Sequence, residues 1–460
     1  VRHHDLVVIG TGSGNTFLDE RFAGLDVALV EHGVFGGTCL NVGCIPTKMY
    51  VYAADVAEVV RRAAKYGVDA SIDKIRWSDI RDRIFSRIDP ISGGGRQYRV
   101  ERSPNVTVYF GHASFTGPRA LQVVRTDGSG TDEITADQVV IAAGGRPMVP
   151  PVVADSGIPF ETSDTIMRLP ELPERLVVLG GGYIASEFAH VFSALGSRVT
   201  LVNRSHALLR WHDETISETY TRLAVAGSRI DVRLNSQITA LSGTAGDLTI
   251  TLDDGSTLGA DTLLVATGRV PNGDLMNLGA AGIGTLSDGR IDVDRFQRTS
   301  ADGVFALGDV SSPWQLKHVA NREAKVVGHN LLHPDDMIEI DHRFVPSAVF
   351  TDPQIAVVGK TEQQCRDAGI DYAVKAQKYG DVAYGWAMED TTGVCKIIAE
   401  RGTGRLLGAH LLGPQASSLI QPLIQAMSFG LTAREMATGQ YWIHPALPEV
   451  VENALLGLDV

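Results

Sequence analysis

The sequence predicts an α/β protein with two Rossmann-like βαβ halves and a separate α+β C-terminal part. Two apolar runs, Asp5–Gly10 (DLVVIG) and Arg175–Gly180 (RLVVLG), each lead into a glycine-rich turn, a helix-like stretch and a second apolar run. That order is a nucleotide-binding βαβ opening, and two openings about 170 residues apart mean two such units rather than a short-period repeat. Beyond about residue 340 the pattern changes to strands such as Cys395–Ala399 and helices such as Ala416–Phe429, with no further glycine-rich turn of this kind. A chain of 460 residues also exceeds what one hydrophobic core organises, and three domains is the natural expectation.

The first opening runs through Gly10-Thr-Gly12-Ser13-Gly14-Asn15 to Val27–Glu31 (VALVE). Its glycines allow a tight turn and let backbone approach a pyrophosphate at a helix N-terminus. Glu31 closes the second strand, where a carboxylate can accept from ribose hydroxyls. Asn15 stands where the third glycine of the fingerprint belongs, so the match is imperfect.

The second opening reads Gly180-Gly-Gly182-Tyr183-Ile184-Ala185 and continues to Arg198–Val202. Here Asn203 replaces the acid at the strand end, and Arg204 and Arg210 follow in one loop. A carboxylate at that position would repel a ribose 2′-phosphate, whereas two guanidiniums bind one, which favours NADPH over NADH. The plainer alternative is two solvated surface arginines. Val139–Arg146 (VVIAAGGR, with Gly144) and Leu263–Arg269 (LLVATGR, with Gly268) look like the closing strands of the two units. Pro147–Pro159 and the segment around Pro271 read as linkers. In Thr299–Asp309, the pair Gly308-Asp309 follows an apolar strand, where an aspartate suits a cofactor's polyol chain or an ordinary Gly-Asp turn equally well.

Charged content of 21 % and hydrophobic content of 44 % are those of a soluble globular protein. A net charge of −13 disfavours nucleic acid, whose binding depends on neutralising phosphates. No run reaches the roughly 18 to 20 apolar residues of a membrane span. Only a four-residue tail precedes the first apolar run, which leaves no room for a signal peptide and points to the cytosol.

Four cysteines are too few for a disulfide framework in such a chain. Cys365 and Cys395 stand alone and read as buried bystanders, but Cys39 and Cys44 share the run GGTCLNVGCIPTK (residues 36–48, with Gly37, Thr38 and Lys48). Residues five apart on an ideal helix have Cα atoms about 8.7 Å apart, whereas a disulfide needs less than about 7 Å. A Cys39–Cys44 bridge therefore requires a distorted turn, for which Asn41 and Gly43 are suited. A helix N-terminus there would favour thiolate. A half zinc site is the rival reading, but no second Cys/His pair stands at ligand spacing.

Disulfide exchange also needs a proton donor for the leaving thiolate, a task that suits histidine. Among thirteen histidines the best placed is His444 in YWIHPALPEVVE (residues 441–452), where Pro445 and Pro448 stiffen the turn and Glu449 can hold the imidazole tautomer. Alone, a His-Pro pair would be a turn feature more often than a catalyst.

Taken in order, GTGSGN, GGTCLNVGCIPTK, GGGYIASE, ATGRVPN, FALGD, FVPSAVFTDPQIAVVG and HPALPE resemble the flavoprotein disulfide reductases, the pyridine nucleotide–disulfide oxidoreductases, along the whole chain. The resemblance implies a homodimer with two Rossmann-like dinucleotide-binding domains and an α+β dimerisation domain. It divides the chain into an FAD-binding first part (1–150), an NADPH-binding domain (151–270), a second FAD-binding or central part (271–340) and an interface domain (341–460). It implies hydride transfer from NADPH to FAD and electron flow onward to a Cys39–Cys44 disulfide. Cys44 would lie on the flavin side and Cys39 would be the interchange thiol. By the same resemblance Lys48 pairs with Glu187 beside the flavin, Tyr183 covers the nicotinamide pocket and Asp309 contacts the ribityl chain. His444 and Glu449 would serve the partner subunit's dithiol.

Within the family, GTGSGN followed by TFLDERFAG, and the ending QYWIHPALPEVVENALLGL, are most similar to the branch that reduces the disulfide of mycothiol. Glu20 stands where glutathione-specific members place a first-helix arginine for a substrate carboxylate, which disfavours glutathione disulfide. Asn203, Arg204 and Arg210 speak against the NAD preference of dihydrolipoamide dehydrogenases. The chain ends in Leu-Asp-Val, without the C-terminal cysteines of mercuric reductases or large thioredoxin reductases. A flavoprotein redox module without turnover is the rival of another class, and Cys39, Cys44, His444 and Glu449 together weigh against it.

Overall fold

The computed structural model describes residues 1–227 and 229–460. Its first sheet grows from the apolar run at the N-terminus. Strands Arg2–Ile9, Val27–Glu31, Thr131–Ile141 and Val304–Ala306 lie parallel with the first half of Val106–Gly117. Leu6, Val7, Val8, Val27, Ala28 and Leu29 are wholly buried, as expected for parallel strands covered on both faces. The second half of Val106–Gly117 turns away to pair antiparallel with Ala120–Arg125, which pairs in turn with Thr131–Ile141.

A second parallel sheet has the order Ile230–Arg233, Arg198–Val202, Arg175–Leu179, Thr262–Val265 and Glu161–Thr162. The expected strand, helix and strand of the second fingerprint are there, with Tyr183–Leu195 as the helix. Both expected linkers carry structure: Gly145–Pro147 pairs antiparallel with Arg269–Pro271, and Pro151–Ala154 forms a helical turn. The two crossings between the sheets are thereby held side by side. The C-terminal part is an antiparallel five-stranded sheet, Ser347–Val349, Ile355–Gly359, Leu406–Leu412, Val394–Glu400 and Tyr372–Lys378. The helix expected over Ala416–Phe429 is two, Ala416–Leu419 and Gln421–Phe429, the second opening with Pro422, which has no N–H to continue the first.

One expectation fails. Among the described residues no α-helix stands between the first fingerprint and the strand Val27–Glu31; Ser13–Asn15 and Glu20–Phe22 are single 3₁₀ turns. Arg99, from the helix Trp77–Glu101, donates to the carbonyls of Asn15 (3.1 Å) and Leu18 (2.9 Å) and to Asn15 Oδ1 (2.8 Å). Those carbonyls are thus satisfied by a distant side chain instead of by helical amides. Phe17 and Phe22 bury themselves against each other, and Asp19 caps the second turn through Arg21 N. Glu20 lies exposed on that turn, so its comparison with a substrate-binding arginine of a first helix loses its basis.

The helix Cys44–Arg62 packs along Tyr183–Leu195, and Tyr50, Trp77, Phe188 and Phe192 fill the space between them. The helix Trp77–Glu101 contains Pro90 and three consecutive glycines, Gly93 to Gly95, and a Cβ at any of the three meets no atom within 4 Å. Gly94→Ala is therefore expected to stabilise the fold by about 0.5–1 kcal/mol, seen as a raised urea midpoint. A lowered midpoint would mean that this face is filled in the assembled protein.

Candidate active site

The thiol pair sits where a helix is interrupted. Gly37–Asn41 forms one turn, Val42 and Gly43 leave helical geometry, and Cys44 opens the long helix. A Cβ on Gly43 would stand 2.9 Å from the Thr38 carbonyl oxygen, so only glycine lets the chain double back here. Asn41, buried, donates to the carbonyls of Phe35 (2.8 Å) and Gly37 (3.0 Å) and fixes the turn. The distortion expected from the spacing is present at Gly43, as expected, and at Val42 in place of Asn41, which ends the first helical turn and braces it through its side chain.

Both cysteines are free thiols, Cys39 half-buried and Cys44 exposed. Their acidities are driven apart. The neighbouring Cys39 thiol is the largest cause that brings the Cys44 thiol down to about 7, helped by the charges of Lys48 and Lys317 against the cost of burial. Cys39 is pushed far up, by its neighbour Cys44 first and by burial second. Of the two thiols, Cys44 is the more acidic and Cys39 the one that holds its proton longer.

Lys48, one turn into the helix, reaches Glu187 on the neighbouring helix at 2.5 Å. The other carboxylate oxygen of Glu187 accepts from Phe350 N at 2.9 Å, and the Lys48 ammonium lies 4.5 Å from the centre of the Phe350 ring. This contact joins the thiol helix, the second-fingerprint helix and the C-terminal part.

Around the first fingerprint, Gly10 has φ +104°, and a Cβ there would lie 2.4 Å from the Ala142 carbonyl oxygen. Gly12 and Gly37 face each other so closely that a Cβ on Gly37 would be 2.8 Å from the Gly12 Cα. Glu31 is buried and accepts from Thr11 N (3.0 Å), Thr11 Oγ1 (2.6 Å) and Gly33 N (2.7 Å). Ser13 donates to Asn321 (3.0 Å), Asn15 is held by Arg99, and Thr38 is exposed in the thiol turn. Gly144 takes φ +66° where the sheet gives way to the ribbon. Gly308 N donates to the buried Glu323 at 2.7 Å, and Asp309, its carboxyl pushed up by burial, lies 3.9 Å from Arg269 Nε.

Around the second fingerprint, Gly180 (φ +136°) and Gly268 (φ +131°) flank the cleft, Gly182 caps the helix and Tyr183 opens it, 42 % exposed, with Ile184 half-buried behind. Asn203 is buried and donates to the carbonyls of Ser205 and Ala207, both at 3.0 Å, so it shapes the loop. Arg204 and Arg210 are exposed, and among the described residues neither has a carboxylate partner. Arg210 lies over the exposed Trp211 ring at 4.3 Å.

His444 is far from inert. Its Nδ1 donates to Glu449 Oε1 at 2.7 Å, Glu449 Oε2 accepts from Ala446 N, and the imidazole is 71 % exposed with Nε2 free. The His444–Pro445 peptide is cis. Among the described residues of a single chain, His444 has no hydrogen bond to either thiol. Cys365 and Cys395 are wholly buried, as expected of bystanders.

The pyridine nucleotide-disulphide oxidoreductase pattern matches residues 4–324, and that family's dimerisation domain matches residues 345–455. The chain belongs to the pyridine nucleotide-disulphide oxidoreductases. A mycothione reductase of Mycobacterium tuberculosis is 60 % identical, covering 99 % of each chain. A dihydrolipoyl dehydrogenase of Halobacterium salinarum is 32 % identical over 98 % of this chain and 95 % of its own. Among solved structures, the Cu(II) complex of the HOCl-induced flavoprotein disulfide reductase RclA from Escherichia coli superposes with TM-score 0.86, 28 % identity and 99 % of each chain covered.

As a member of this family the chain is an oxidoreductase, a homodimer, and a user of FAD and NADPH. The residues fit FAD: the Gly12–Gly37 approach leaves backbone alone facing the fingerprint, and Asp309 presents a half-buried carboxyl that accepts no hydrogen bond from another side chain among the described residues. A cavity of about 50 Å³ beside Gly10 and Val30 is lined by His32, Gly111, His112 and Ala113. The sequence reading missed these last four, of which Gly111, His112 and Ala113 lie inside the strand Val106–Gly117 where it changes pairing partner. Lys317, whose charge reaches both thiols, was also missed. No helix of the described residues is long and apolar enough to cross a membrane.

Proposed function

We propose that this oxidoreductase reduces mycothiol disulfide with NADPH, using Cys39 and Cys44 as its working pair. The observation that carries the reading is the 60 % identity to a mycothione reductase, against 32 % and 31 % to a dihydrolipoyl dehydrogenase and a glutathione reductase. In this reading, residues 1–150 and 271–340 hold FAD, with Gly10, Gly12, Ser13, Gly14, Asn15, Glu31, Gly37, Thr38, Gly144, Gly308 and Asp309 around it. Residues 151–270 hold NADPH through Gly180, Gly182, Tyr183, Ile184, Arg204, Arg210 and Gly268. Residues 341–460 form the dimer interface, and the cytosol is the working compartment.

Bound FAD supplies the electron relay between NADPH and the Cys39–Cys44 disulfide. The chain's own residues do the rest. The Cys39 thiol is held well above its ordinary range, so it surrenders a proton before it attacks, and His444 of the partner subunit accepts it at Nε2. Glu449 keeps the other ring nitrogen protonated and stabilises the imidazolium. The Cys39 sulfur displaces one thiol of the substrate disulfide, which leaves with the proton from His444. The Cys44 thiolate then attacks the Cys39 sulfur and expels the second half of the substrate as its thiolate, restoring the intramolecular disulfide. The dithiol loses two electrons and the substrate gains them. Tyr441 and Ile443, fully and largely exposed beside His444, support delivery of this segment to a partner.

The test compares NADPH-driven reduction of mycothiol disulfide, glutathione disulfide and lipoamide by the purified protein. Mycothiol disulfide should give the highest kcat/KM; a preference for either alternative overturns the substrate assignment. Arg204→Ala with Arg210→Ala should raise the KM for NADPH by about tenfold or more, while NADH changes little. Equal effects on both nucleotides would remove the 2′-phosphate site.

A further inference from the structure

The loop that carries Arg204 and Arg210 is fixed at both ends, but the two anchorages differ in origin. At the start it is held from within its own domain. Asn203 turns back on the loop's carbonyls, Leu209 N donates to Gly181 O (2.8 Å), and Leu208 N donates to Thr221 Oγ1 (2.9 Å). At the end it is held from the C-terminal part of the chain. Asp213, wholly buried, receives Lys396 Nζ at 2.7 Å and Thr215 N at 3.1 Å on one oxygen, and Glu362 N at 2.9 Å on the other. Lys396, 3 % exposed on the strand Val394–Glu400, also pairs with Glu362 Oε2 at 2.7 Å and donates to Thr215 Oγ1 at 2.9 Å. Gln363 Nε2 donates to the carbonyl of His212 at 3.2 Å. Between the two anchorages Arg210 and Trp211 stand in solvent, the guanidinium resting on the indole.

A buried lysine between two carboxylates is a poor way to gain stability, since apolar residues of similar volume serve as well or better. What such a group supplies is a fixed position. We propose that Lys396 is a positioning residue for NADPH: acting through Asp213, the dimerisation domain holds the Arg210 loop in the geometry that accepts a ribose 2′-phosphate. The proposal rests on the NADPH reading above. It adds that nucleotide selectivity depends on residues outside the nucleotide domain, which touch no part of the nucleotide.

The experiment measures binding of 2′,5′-ADP and of ADP to the FAD-loaded dimer by calorimetry, for the parent, Lys396→Met, Gln363→Ala, Arg210→Ala and the Lys396→Met/Arg210→Ala double variant. Lys396→Met and Gln363→Ala should each weaken 2′,5′-ADP about tenfold and leave ADP within about twofold of the parent. In the Arg210→Ala background Lys396→Met should cause no further loss, because the group it positions is gone. Unchanged 2′,5′-ADP affinity, or equal losses for both nucleotides, overturns the proposal. Gln363 is outside the buried ion cluster, so its variant decides if Lys396→Met does not fold. A parent that binds ADP and 2′,5′-ADP equally would fail the NADPH reading itself, an outcome separate from a selective parent whose selectivity survives the substitutions.

Discussion

Cys44→Ser is expected to cut NADPH-driven disulfide reduction to below about one ten-thousandth of the parent, the scale of loss when a group that acts as part of a unit is removed. A serine hydroxyl cannot form the intramolecular disulfide, so the second displacement and the return of electrons both stop. The structure adds a reason that holds before any substrate arrives. Cys44 is the more acidic member of the pair, brought down to about 7 by the Cys39 thiol first, then by Lys48 and Lys317. Replacing Cys44 also removes the largest cause of the raised Cys39 thiol, which falls back toward its ordinary range, so the loss comes from the missing partner sulfur.

The same asymmetry fixes a pH dependence in the reduced parent. Below about 7 the Cys44 thiol is protonated, and each pH unit lowers the thiolate fraction by about tenfold; above it the fraction saturates. Alkylation by iodoacetamide, followed by peptide mapping, should therefore rise with pH up to about 7 and then level off, with Cys44 labelled first. Cys39→Ala removes the thiol that is the largest cause of the shift, so its Cys44 should need a higher pH for the same rate. A Cys44 that reacts equally fast in both proteins would mean that the Cys39 thiol does not set its acidity.

The parts of this molecule that were legible in sequence are those whose cause is local. The second fingerprint reads correctly because strand, glycine turn, helix and strand lie within Arg175–Val202 and bury contiguous apolar runs. The broken helix at Val42 and Gly43 follows from the impossible span of two cysteines on an ideal helix. The first-fingerprint helix misled because its absence is decided by Arg99, remote in sequence, taking the carbonyls that a helix would use. The ribbon between Gly145–Pro147 and Arg269–Pro271, the field of Lys317 at the thiols and the Lys396–Asp213 contact are equally non-local. No periodicity or spacing announces them, since each pairs residues that only the folded chain brings together.

His444→Ala should lower kcat/KM for the disulfide by about 10²- to 10⁴-fold, the range for loss of a positioned acid–base group, while FAD-loaded protein still oxidises NADPH in a single turnover. The two halves of that expectation have different causes. Nucleotide binding and the Lys48–Glu187 contact lie on other elements and do not involve the C-terminal turn. Disulfide exchange does, because Cys39 holds its proton tightly and needs a base to take it. Glu449→Gln should lose less, since the amide still offers an oxygen to Nδ1 but no charge to the imidazolium. Mixing His444→Ala with Cys39→Ser subunits supplies the decisive comparison. If the histidine serves its own chain's thiols, each mixed dimer has no intact site and activity stays at the level of the separate variants. If it serves the partner's thiols, each mixed dimer carries one intact site, from the Cys39 of one subunit and the His444 of the other, and activity returns to about half on those dimers. Only the second outcome agrees with an imidazole that stands 71 % exposed beside Tyr441 and Ile443, bonded to Glu449 and to neither thiol of its own chain among the described residues.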